Sequence, residues 1–398
     1  METRQRMFGS TSQFIDAPEL DAAGEKQQLR DQAELVIQGF DRLAEHKLGW
    51  SSEVATDLSI GRLRAKEGLL TRLHSSFLPT LQHQIISLSR ALDPSDLRKD
   101  PAANLTLILN IQAGLDSTLD QIVRTLDDLM PGKVPKPSQA NDHHYGALKF
   151  YRLHGLDQSI RGELRIQLLL FYSESSTIIK EVLQLTTYSH AFSSALEKSI
   201  DSAIKWITGS DLNLIWDAWK MGIQTLDMGW DDLLDLSRPI PIGGGGQRRR
   251  QSAIQLTRST IPILKLSKLF FQKLSRELKK RDLPLFTEMS SQQLEVLDKS
   301  AETINHAVSD LLCPLDEADE APRADTTRRL IQAIEQISSR FQGYVLLVVL
   351  YVIPLFPDLH DVSSRIYFSN WFITWNILLF STTDNAIKAA RLFERDHP

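Results

Sequence analysis

One cysteine, Cys313, stands in 398 residues. A lone thiol closes no intramolecular disulfide and supplies no multi-thiolate metal site, which fits a reducing compartment. Excess positive charge is also missing: 45 basic residues face 50 acidic ones, net −5. A general nucleic-acid binder is normally basic, so no nucleic-acid partner is expected. The stretch Met1–Glu19 is polar and has no apolar core, so no secretory signal is read there. The most apolar run, Gly343–Phe356, is 14 residues long and is closed by Pro354 and Pro357. A membrane-spanning helix needs roughly 20, so the expectation is a buried core helix and no transmembrane segment. Strand-like alternation does not persist anywhere, and no fixed-period repeat is visible.

Apolar residues at steps of three and four run almost from end to end, and they make up the bulk of the 42% hydrophobic content. The pattern places helices at about 17–47, 59–92, 102–130, 147–185, 190–207, 211–236, 252–281, 290–312, 326–353 and 360–394. Pro79 should kink the second. In 211–236 the residues Leu212, Trp216, Trp219, Ile223, Leu226, Trp230 and Leu233 form a heptad-like seam, and Asp211 reads as its N-cap. The expected class is all-α: long antiparallel amphipathic helices in up-and-down bundles.

Pro239, Pro241 and the run Gly243–Gly246, followed by Arg248-Arg249-Arg250, are the strongest boundary signal. They divide the chain into a disordered N-terminus (1–16), an N-terminal helical bundle (17–238), a flexible Pro/Gly/Arg loop (239–251) and a C-terminal helical bundle (252–398).

Catalytic constellations are absent. The glycine run has no Lys-Ser/Thr pair for a phosphate loop, and no G-x-S-x-G elbow occurs. The 10 histidines are scattered, and the cluster Asp142, His143, His144, His154 lacks metal-ligand spacing, so it reads as a polar helix start. Cys313 precedes Pro314 at a helix end among acidic neighbours, which do not stabilise a thiolate. No catalytic residue, cofactor or metal is assigned. The Trp216, Trp219 and Trp230 rings fall on the apolar seam and read as core.

One surface stands out. At roughly 100° per residue, Arg258, Lys265, Lys268, Arg276, Lys279 and Lys280 fall on one face of the 252–281 helix. With Arg248, Arg249 and Arg250 they make a basic edge suited to an acidic partner or anionic lipid, or a solvated face paired within the chain. Pro262 places the start of this helix nearer Thr260. Arg249-Arg250-Gln251-Ser252 fits a basophilic kinase pattern, with Ser252 in a loop at a helix N-terminus, where a phosphate is favoured.

The stretches Thr208–Ala218, Trp230–Leu236, Ile263–Leu274 and Ser309–Leu315 lie in an order that resembles the Grap2- and cyclin-D-interacting helical family, the cyclin-D1-binding proteins. The resemblance covers about residues 205–315. The chain is also similar to lineage-expanded fungal helical proteins. The glycine–arginine loop and the apolar 345–356 segment depart from the cyclin-D-interacting pattern. The resemblance implies a bundle in the style of vinculin and α-catenin modules, and a nuclear or cytoplasmic regulator that binds other proteins. Three function classes therefore stand: a non-enzymatic interaction or regulatory protein tied to the cell cycle, a peripheral lipid- or anion-binding protein using the basic helix, and an enzyme with a site assembled from distant helices.

Overall fold

The computed structural model describes residues 17–45, 60–130, 137, 141–184, 194–238, 247–279, 283–356 and 362–395, with backbone only at 17–25, 60–64, 247–250 and 362–365. The expected disordered N-terminus (1–16) lies outside the described residues, as does the 239–246 part of the loop. The fold is all-α, and the described residues contain no strand. The helices are α1 (Ala17–Ala44), α2 (Ile60–Arg72), α3 (Leu78–Ala91), α4 (Pro94–Lys99), α5 (Pro101–Leu129), α6 (Phe150–Asp157), α7 (Arg165–Gln184), α8 (Ser194–Thr208), α9 (Asp211–Leu236), α10 (Gln247–Lys279), α11 (Ser291–Asp298), α12 (Ser300–Asp316), α13 (Arg323–Leu347) and α14 (Val362–Arg395).

The chain forms two compact units. One holds residues 1–133 and 157–204, the other 134–156 and 205–398. This corrects the expected division at the glycine run. α9 belongs to the second unit because its buried stripe, Leu212, Ile215, Trp219, Leu226 and Leu233, shares one core with α10 and α12. The glycine run therefore joins two helices of one body. Residues 247–251 of the expected loop are helix, since α10 begins at Gln247.

In the first unit α5 is the centre, packing on α1, α2, α3 and α4. Its buried Gln112 donates from Nε2 to the Val36 carbonyl at 2.8 Å, across Gly39, where a Cβ would lie 2.1 Å from Gln112 Oε1. Each Asp-Pro pair starts a helix: Asp93 accepts from Ser95 N at 2.8 Å and Asp100 from Ala103 N at 3.1 Å, with proline in the first turn of α4 and α5. At Pro79, where a kink was expected, the turn before the proline, Leu73–Phe77, widens to a π-helix, and Leu78 N–H reaches back to the Leu73 carbonyl.

In the second unit α9, α10, α14, α13 and α12 pack on one another in that order, and α12 returns to α9. Rings fill the middle. Phe270, Phe341 and Trp375 lie 5.0–5.2 Å apart, centroid to centroid, and Trp219 meets Phe271 edge-on at 5.5 Å. Both buried indoles have acceptors: Trp375 Nε1 donates to the Leu266 carbonyl and Trp219 Nε1 to the Leu297 carbonyl, each at 2.9 Å. Trp216 and Trp230 are partly buried against the same core.

Pro262 sits inside α10 rather than near its start. A mid-helix proline removes one backbone bond, but buried residues on both sides, Leu256 and Thr260 before it and Ile263 and Leu266 after, hold the helix to the core. The 290–312 helix is in fact two. A Ser290–Gln293 capping box opens α11, the chain breaks at Lys299, and α12 runs through Pro314.

α9 and α12 approach at Gly222, where an added Cβ would fall 2.4 Å from the Ala301 Cβ. Gly222→Ala should therefore destabilise the protein by about 1–3 kcal/mol through overpacking, despite alanine's helix-propensity gain of about 1 kcal/mol. Urea melts should show Ala301→Gly recovering at least half of that loss in the double variant.

Candidate functional site

The basic edge is only partly assembled. On α10, Arg258, Lys265, Arg276 and Lys279 are exposed. Lys268 is half-buried and paired with Asp227 of α9, and Arg258 donates to the Ser237 carbonyl at 3.3 Å. Arg248, Arg249 and Arg250 lie in the first turn of α10, where only the backbone is described, and Lys280 lies outside the described residues. Ser252 is not a loop serine: it stands half-buried inside α10, five residues past Gln247. A phosphate there would meet a formed, packed helix, so the loop geometry expected for a kinase site is not present.

The deepest polar arrangement in the second unit has a different origin. Asp211 was expected to cap α9; the cap is Ser210, whose Oγ accepts from Asn213 N at 3.1 Å. Asp211, with no exposed side-chain surface, turns inward and meets two buried cations. Its Oδ1 accepts from Arg152 Nη1 at 2.9 Å, and its Oδ2 from Lys149 Nζ and Thr287 N, both at 2.9 Å. Lys149 Nζ also donates to the Thr287 carbonyl at 2.6 Å. Arg152 Nη2 donates to the carbonyls of Ile207 and Gly209 at 2.9 and 2.8 Å, supplying cations to carbonyls that the end of α8 leaves unpaired.

A second carboxylate completes the set. Asp142, also buried, accepts from Phe150 N at 2.7 Å, Ser291 N at 2.8 Å and Ser291 Oγ at 2.7 Å, and Ser291 Oγ accepts from Tyr151 N at 2.8 Å. The first turn of α6 is thus capped by groups distant in sequence, with a carboxylate at the positive end of the helix. Asp142 does serve the start of α6, but from eight residues ahead and out of water, while His143 and His144 are exposed. Gly146, at φ +53°, turns the chain between Asp142 and α6, and the Phe286 ring lies over the Arg152 guanidinium at 5.2 Å. Lys149, Arg152 and Asp211 expose 1% or less of their surface, so no substrate reaches them. The arrangement is a lock.

Nearer the surface, Tyr151 Oη donates to Asp298 Oδ1 at 3.1 Å at the end of α11. Burial pushes the Asp298 carboxyl up to about 6, with Glu295 and Glu302 adding to the rise and the Tyr151 hydrogen bond and Lys299 opposing it. Asp298 borders a cleft of about 550 Å³ between α9 and α12, beside Met221, Gly222 and Glu302. A second cleft, about 590 Å³, is bordered by Asp232, Asp235, Asp316 and Asp319 with Arg238 and Cys313. Among the described residues no group of three His, Cys, Asp or Glu side chains could hold a metal ion. Cys313 has a cationic neighbour that the sequence did not reveal: Arg329 donates from Nη2 to its Sγ at 3.1 Å and from Nη1 to Glu317 Oε2 at 2.6 Å.

The apolar run was expected to form a buried core helix. Only one side is buried: Tyr344, Val348, Val352 and Phe356 face the core, while Leu346, Val349 and Leu350 are exposed. By length and composition the helical stretch Arg323–Leu355 could cross a membrane, and a third of its most apolar window is buried within the chain. On α14, Ile366, Ile373, Ile377 and Phe380 are more than half exposed.

Residues 210–388 match the family model of a domain of unknown function, DUF8721, and residues 66–208 match that of a second, DUF8723. No curated protein and no solved structure matches the chain. The two matched spans meet at Gly209, between α8 and α9, so they too place α9 with the helices that follow the glycine run.

Asp211→Ala leaves Lys149 and Arg152 buried without their counter-charge and should cost about 3–5 kcal/mol in urea melts. Asp298 gives a pH signature. Its folded pKa lies above the ordinary 3.8, so the folded state binds the extra proton and stability falls as pH rises from about 4 to about 6. Asp298→Asn keeps an acceptor for Tyr151 and should raise stability at pH 7 by on the order of 2–3 kcal/mol. It should also flatten that part of the stability–pH profile.

Proposed function

We propose that this chain is a non-enzymatic helical protein that acts by binding other proteins. The observation that carries the reading is a second apolar stripe on α14. The first, Phe368, Phe372, Trp375, Leu379 and Ala386, builds the core. On the opposite side, within about 40° of a common line at roughly 100° per residue, lie Ile366, Ile373, Ile377 and Phe380, the last 70% exposed. A helix exposed on one side ordinarily carries polar residues there. Contiguous exposed apolar surface of this kind marks interaction sites.

The disposition of the ionisable groups supports the same reading. The most deeply buried charges of the second unit, Lys149, Arg152, Asp142 and Asp211, hold its segments together and have no access to a ligand. The resemblance to cyclin-D-interacting proteins directs the search for partners towards cell-cycle regulators in the cytoplasm or nucleus. One observation favours the second reading, a peripheral anion- or lipid-binding protein: Arg258, Lys265 and Arg276 share the outward line of α10.

A single comparison separates the two. Affinity capture from native extract, followed by mass spectrometry, should lose its specific proteins with Ile373→Asp/Ile377→Asp and keep them with Lys265→Glu/Arg276→Glu. The reverse pattern favours the α10 reading. Capture of nothing specific by the parent chain removes the leading one.

A further inference from the structure

We infer that the exposed face of α13 and α14 is covered by a second copy of this chain. The inference rests on the reading of the α14 stripe as an interaction surface, and it names the occupant.

Three features favour a copy over another partner. The first is area. Leu346 and Leu350, exposed on α13 and the turn after it, add to Ile366, Ile373, Ile377 and Phe380 of α14. Phe356 stacks on Phe368 at 5.6 Å and Phe341 meets Trp375 at 5.1 Å, so residues 346–350 lie level with the 366–375 part of α14. Val349 is exposed beside them, whereas Tyr367 and Leu378 lie on the α10 flank of α14, where Lys273 donates to Tyr367 Oη at 3.4 Å. At roughly 100 Å² for each half-exposed large side chain, these seven residues present on the order of 700 Å². The largest apolar patch of a typical monomer is about 300–600 Å². A standard interface takes about 800 Å² from each partner.

The second feature is charge. No Asp, Glu, Lys or Arg occurs in residues 341–357 or 366–383. In a two-fold dimer the same patch meets itself, so any net charge on it would face its own like. This patch has none. It equally offers nothing to select a charged partner, and no basic residue within it to hold an anionic membrane. The third is the pair of polar groups flanking the stripe. Ser369 and Asn370, exposed on either side of the stripe between Ile366 and Ile373, each carry a donor and an acceptor and can therefore pair with an identical surface; a Lys or an ionised Glu cannot.

Sedimentation of the full chain from low to high micromolar concentration tests this. The expected result is a concentration-dependent approach to twice the 45.1 kDa chain mass. Ile373→Asp/Ile377→Asp should sediment as one chain with unchanged circular dichroism and, at concentrations where the parent is also one chain, the parent's melting midpoint, while Leu170→Asp, at an exposed position of α7, should leave the dimer intact. As a check that does not depend on weakening, Ile373→Cys in a Cys313→Ser background should form a disulfide-linked dimer on mild oxidation, because Ile373 lies midway along the stripe. A parent chain that stays monomeric at every concentration overturns the inference, as does a dimer that survives the double Asp variant. A monomer that still loses its captured proteins through Ile373→Asp/Ile377→Asp overturns the self-pairing alone and leaves the proposed function standing. A monomer that instead co-sediments with phosphatidylcholine vesicles overturns it in favour of a lipid surface.

Discussion

The second unit depends on a carboxylate that has nowhere else to go. Asp211 is held by Lys149, Arg152 and the Thr287 backbone, all out of water. A buried charge is expensive to desolvate, and removing one partner costs more than the pair contributes. The cluster therefore acts mainly as a constraint on arrangement. It holds the start of α9, the segment 142–156 and the stretch before α11 in one geometry, because its donors and acceptors come from all three. It also accounts for the broken chain order of the unit: residues 134–156 belong there through Asp142, Lys149 and Arg152.

Around that lock the helices pack by ordinary means. The rings of Phe270, Phe341 and Trp375 fill the centre, and Gly222 lets α9 reach Ala301 of α12 without an intervening side chain. Prolines are accommodated by position: Pro79 behind a π-turn, Pro94 and Pro101 in first turns, and Pro262 on the outward side of a helix whose buried flanks keep it in place. In each case a missing N–H is placed where the helix can tolerate the loss.

Charge and apolar surface are sorted on the outside of this unit. The outward line of α10 is basic, while that of α14 is apolar and uncharged from Ile366 to Thr383. Neighbouring helices of one body thus offer different chemistries to solvent, and the uncharged one is the more costly to leave exposed. That asymmetry is why the functional proposal rests on α14 and not on the arginines and lysines that draw attention in the sequence.

Local chemistry was enough to place most helices. Period and length set α9 at 211–236 to the residue, and Asp-Pro pairs marked breaks that proved to be helix starts, because these signals act within one or two turns. The stripe on α14 was also present in the residues. Its period, however, does not say which side meets the core, since both sides are apolar. The sequence could not reveal the partners of Asp211. An Asp beside a Ser at a helix start serves equally well as a cap, and the groups that claim it stand about 60 and 76 positions away. Only the folded chain brings Lys149, Arg152 and Thr287 to one point. The same holds for the division into units: glycines report local freedom, whereas membership of a core is decided by which buried stripes meet.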